Sequence, residues 1–64
     1  MLYSVEVKYF TLDKNAIYLW DSKKIIGLDN AIIMAEQLSK AENATSVNVI
    51  DSFTGEVMWD WDRF

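Results

Sequence analysis

The stretch "LDNAIIMAEQLSKAEN", residues 28–43, decides the fold, because it is the one segment whose apolar residues repeat with a helical period. At about 100° per residue, Leu28, Ala31, Ile32, Met34, Ala35, Leu38 and Ala41 form one broad stripe, with Asp29, Glu36, Gln37 and Lys40 opposite. The alanines let such a helix sit close to a sheet. Asp29 falls in the first turn, where it serves either as the N-cap or as a favourable charge at the positive helix end. Ile33 lies among the polar residues and has two readings. With Asp29 as N-cap, Leu28 and Ile33 form a hydrophobic staple; otherwise Ile33 is an exposed contact residue.

On either side of this helix the period changes from 3.6 to 2. Residues 2–10, "LYSVEVKYF", alternate with Tyr3, Val5, Val7 and Tyr9 on one face and Ser4, Glu6 and Lys8 on the other, a strand with one buried face. "TLDKN", 11–15, supplies turn chemistry before a second β-rich run, "AIYLWDS", 16–22. Both faces of that run are apolar, Ile17 and Leu19 against Tyr18 and Trp20. The following "KKIIG" either prolongs the strand or forms a loop. Beyond the helix, "SVNVID" (46–51) and "EVMWDW" (56–61) are strands joined by "SFTG", in which Gly55 suits a positive φ. Val47, Val49, Val57, Trp59 and Trp61 are candidates for the inward face. Ile50, Met58, Asp60 and Asp62 project oppositely. Two strand pairs around one helix predict a single α+β domain over 1–64: a ββαββ order, with a four-stranded, mainly antiparallel sheet and the helix on one face.

With 64 residues the chain buries roughly 60% of the surface its unfolded form exposes, so self-association is a natural source of extra buried area. It contains neither cysteine nor histidine, which removes disulfides, thiolate chemistry and the commonest metal ligand and acid–base group. No basic-then-apolar start resembles a signal peptide and no apolar run approaches a membrane span, which reads as a cytoplasmic protein without membrane contact. Charge is unevenly spread. Residues 1–40 carry five acids and five lysines. Residues 41–64 carry Glu42, Asp51, Glu56, Asp60 and Asp62 against Arg63 alone, so the whole net charge of −4 lies in the last segment.

This distribution points to a surface. One helix covers one sheet face, leaving the other to display Tyr18, Trp20, Ile50 and Met58; if these are adjacent they form an apolar patch of the kind that marks interaction sites. The competing reading is that 22–27 folds back over them. In "WDWD", Trp59 and Trp61 share one face, Asp60 and Asp62 the other. Trp61, nearer the end, is the expected exposed one. Asp51, Glu56, Asp60 and Asp62 either rim an aromatic centre or protect an edge strand by charge. The partner-binding candidates are therefore Tyr18, Trp20 and Trp61 as anchors, and Glu56, Asp60 and Asp62 as the charged rim.

Catalysis is set aside: no nucleophile–base constellation, phosphate loop or metal-ligand spacing is present, and no cofactor or metal is expected. Direct nucleic-acid binding is disfavoured by the negative charge. The reverse fits better, with spaced acids imitating phosphate toward a nucleic-acid-binding protein. A planar ligand stacked on aromatics, its phosphates met by Lys23, Lys24 or Arg63, rests on residue type alone.

Residues 28–61, with "LxxAI" opening the helix, an "xVxVxD" strand and "TGEV" leading into the last strand, resemble a pattern found in short, uncharacterised ββαββ proteins of bacteria and their phages. The resemblance implies a small phage or mobile-element protein in the host cytoplasm. Many such proteins bind and inhibit a host protein. Two readings follow: an inhibitor or modulator of another protein, acting through the open face and the acidic C-terminal hairpin, or a homodimer or larger homo-oligomer with a structural or ligand-sequestering role.

Overall fold

The computed structural model describes residues 1–10 and 18–63, and the side chains of all of these except residues 18–21. The elements are β1 (Leu2–Phe10), β2 (Tyr18–Ile26), α1 (Leu28–Leu38), β3 (Ala44–Asp51) and β4 (Val57–Asp62). They form one antiparallel sheet in the order β2-β1-β3-β4, so the expected α+β architecture holds. The turn read at 11–15 lies outside the described residues. Residues 22–26 continue β2 rather than folding over the sheet.

Alternation in β1 and β3 sets the core. Val5 pairs with Val49 and Val7 with Val47, and all four are fully buried. Across the next ladder Val49 meets Trp59 and Val47 meets Trp61, so both tryptophans lie on the core side and pack against it, half-buried. Ala31 and Ala35 bring α1 onto this face with no exposed surface of their own, flanked by the partly buried Leu28, Ile32, Met34 and Leu38. Among the described residues the largest fully buried side chains are valines, which makes for a thin core.

Three expectations change. The helix begins two residues earlier than an Asp29 cap requires: Gly27 is the N-cap at φ +91, no side chain caps the helix, and Asp29 sits in the first turn as a favourable charge. That shift moves Ile33 out of the staple position, and its side chain is 56% exposed. At the other end the helix stops at Leu38. Ser39 closes it, its N–H bonding Ala35 O at 3.0 Å and its hydroxyl bonding Glu36 O at 2.7 Å. Finally, Val57 is exposed rather than inward. Between Val49↔Trp59 and Ile50↔Val57 the strand gains one residue, a β-bulge at Met58, which sets Val57 opposite Ile50 on the uncovered face.

Candidate functional site

The face of the sheet away from α1 is built from the even-numbered residues of β1 and β3 and their cross-strand partners. Its rows run Ile26–Leu2, then Lys24–Ser4–Ile50–Val57, then Ser22–Glu6–Asn48–Asp60, then Lys8–Ser46–Asp62. Read in this order, the face passes from apolar to charged.

At the apolar end, Leu2, Ile26 (74% exposed), Val57 and Met58 stand in solvent around the half-buried Ile50. Met1 and Phe53 (94% exposed) extend this end beyond the strands. A groove of about 500 Å³ runs between the chain start and the β3–β4 turn, lined by Met1, Leu2, Asp51, Ser52, Phe53 and Thr54. The turn is held from inside by Asp51. Its carboxylate accepts the Phe53 N–H at 2.8 Å and the Thr54 N–H at 3.2 Å, while its carbonyl accepts the Gly55 N–H at 2.8 Å. This side-chain turn, closed by Gly55 at φ +79, presents Phe53 outward.

A polar stitch runs through the apolar end, in the row of Ile50 and Val57 and beside Leu2. Lys24 Nζ donates to Ser4 Oγ at 2.7 Å and Ser52 Oγ at 3.4 Å, and the two hydroxyls share a hydrogen bond at 3.0 Å. Ser4 is buried beneath this contact. The three residues come from β2, β1 and the turn, so the stitch ties the hairpins together across the sheet.

At the charged end, Asp60 and Asp62 are exposed on β4. Glu56 does not join them: its carbonyl accepts the Asp51 N–H at 2.8 Å, placing it opposite Asp51 on the helix side of the ladder. The only base after residue 40, Arg63, is also turned away. Its Nε donates to Ala44 O at 2.7 Å, its Nη2 to Ala41 O at 2.9 Å, and its guanidinium lies 5.3 Å from the Trp61 ring centroid. The Asp60–Asp62 pair therefore keeps its charge unneutralised by Arg63.

The expected apolar patch is relocated rather than lost. Trp20 pairs with Lys8 and Tyr18 with Phe10, whereas Ile50 pairs with Ser4. The backbone at Trp20 is thus two strands and four residues from Ile50, about 9.5 Å across and 13 Å along the sheet, too far for one contact cluster. The side chains of Tyr18 and Trp20 lie outside the described set. Leu2, Ile26, Val57 and Phe53 take their place around Ile50 and Met58. Leu2 carried a readable signal, since it shares the parity of Ser4 and Glu6; Ile26 and Val57 needed the register.

Among the described residues no group of three or more acids is placed to hold a metal ion, and no helix is long and apolar enough to cross a membrane. Comparison with protein-family models, curated proteins and solved structures finds no match to this chain.

Proposed function

We propose that this chain is a non-enzymatic protein-binding module, an inhibitor or modulator as many small phage proteins are, working through the open sheet face and the acidic C-terminal hairpin. The observation that carries the reading is the gradient along that face: exposed apolar side chains converge at one end, and two exposed aspartates, which Arg63 does not pair with, stand at the other. Apolar anchors supply affinity and offset charge supplies steering and register. A nucleic-acid-binding protein in the host cytoplasm, whose basic groove attracts aspartates, is the partner class this charge favours.

The test is capture from a host lysate with the purified chain as bait, repeated with Phe53→Ser/Leu2→Ser and with Asp60→Lys/Asp62→Lys. A specific partner retained by the parent and lost by the first variant, with circular dichroism unchanged, supports the reading. Equal retention by all three chains refutes it.

A second reading, self-association through the apolar end, draws on the thin valine core. A symmetric contact of about 800 Å² per copy adds the burial that such a core lacks. Light scattering across a wide concentration range decides between them: a constant monomer mass removes this reading.

A further inference from the structure

We propose that the outer edge of β4 receives an extended strand of the partner in which basic and apolar residues alternate. This rests on the protein-binding reading above and names the segment that docks.

The argument starts from hydrogen-bond phase. In an antiparallel ladder, residues alternate between bonding their neighbour on one side and facing the other. Three bonds at the strand ends set that phase here: Gly27 N–H to Met1 O, Ser52 N–H to Leu2 O, and Arg63 N–H to Thr45 O. From the last, Trp61 and Trp59 bond Val47 and Val49 across the ladder. Asp60 and Asp62 therefore point their N–H and C=O groups away from β3, along an edge that no described strand covers. A free edge of this kind is a template for strand addition.

The side chains bordering the edge specify what fits. On the open face the same two residues carry carboxylates, spaced to meet basic side chains at alternate positions of an incoming strand. On the helix face Trp59 and Trp61 offer half-buried rings to the intervening residues. Arg63, engaged with Ala41 and Ala44, does not compete for the aspartates.

A second copy of β4 fits poorly. Within the middle of β4, a two-fold antiparallel pairing that keeps the faces matched centres on Asp60, Trp61 or Trp59, while one centred on Asp62 sets Asp62 against Asp62. The first sets Asp60 against Asp60, and the second sets Asp60 against Asp62. The third runs Met58, at the bulge, into the ladder. The acids that exclude this self-pairing favour a basic strand.

The experiment uses the full chain, isotope-labelled, with a capped peptide of alternating lysine and valine, and a control of the same composition with its lysines and valines in separate blocks. At low salt the alternating peptide slows hydrogen exchange at the Asp60 and Asp62 amides about tenfold or more, with smaller changes at Trp59 and Trp61, whose amides already bond β3. Asp60→Asn/Asp62→Asn weakens that peptide's binding roughly tenfold, as does physiological salt. Equal binding of both peptides, changes centred on Leu2, Ser4 and Phe53, or no binding at millimolar peptide overturns the edge assignment. In those cases the open-face reading still stands or falls by the Phe53 and Leu2 variants in lysate capture, so the two failures are distinguishable.

Discussion

Asp51 accepts the backbone N–H of Phe53 at 2.8 Å, and this single contact connects a buried carboxylate to one of the most exposed aromatic rings on the molecule. The acid is structural: it folds the β3–β4 turn and thereby aims Phe53 outward. Asp51→Ala leaves two turn N–H groups without their acceptor and is expected to cost about 1–3 kcal/mol. Asp51→Asn keeps the accepting oxygen and recovers most of that. Urea unfolding midpoints of the two variants check it; equal losses refute the acceptor role.

The two glycines are separable by what surrounds them. Both hold positive φ, Gly27 at +91 and Gly55 at +79, but a Cβ at Gly55 meets nothing within 4 Å, whereas one at Gly27 falls 3.3 Å from Asn30 Nδ2. Gly55→Ala should cost about 1–2 kcal/mol from backbone strain alone. Gly27→Ala should cost more, because Asn30 Nδ2, which bonds Ile26 O at 3.2 Å, must move. Thermal or urea unfolding ranks the pair; the reverse order contradicts the crowding at the helix start.

Helix–sheet spacing is set by two alanines. Replacing Ala35 by leucine forces α1 away from the fully buried valines and is expected to destabilise by about 1–3 kcal/mol, whereas Ile33→Ser, on the exposed side, changes stability by less than about 0.5 kcal/mol. A comparable loss in both variants would mean that Ile33 is covered in solution.

Arg63 clamps the chain end by binding two carbonyls and stacking on Trp61. Because the planar fork reaches both oxygens at once, lysine is a poor substitute. Arg63→Ala and Arg63→Lys should both lower stability by about 1 kcal/mol and alter tryptophan fluorescence. Full rescue by lysine would reduce the contact to simple charge.

The readable part of this molecule is whatever alternation alone determines. Tyr3, Val5 and Val7 announce a one-sided strand, and Ala31 and Ala35 announce a close helix, because each pattern is local. Trp61 was expected to be the freer tryptophan, yet its ring packs on the core while Arg63 stacks against it. Where the chain compares distant segments, local pattern is silent. Trp20 and Ile50 both follow the right parity, yet pairing with Lys8 and Ser4 sets them apart. The Ser4–Lys24–Ser52 stitch joins three segments that only register brings together. Asp29 lies in the first turn rather than at the cap because the helix starts at Leu28, with Gly27 alone between it and the end of β2.

The extra residue at Met58 acts as a phase shifter for the whole hairpin. Along an unbroken ladder, Glu56 would fall in line with Asp60 and Asp62, and Val57 would turn toward the helix. One additional residue of contour reverses both, withdrawing a charge from the exposed face and delivering a valine to it. The border between the adhesive and the charged halves of that face is thus drawn by backbone arithmetic as much as by side-chain composition.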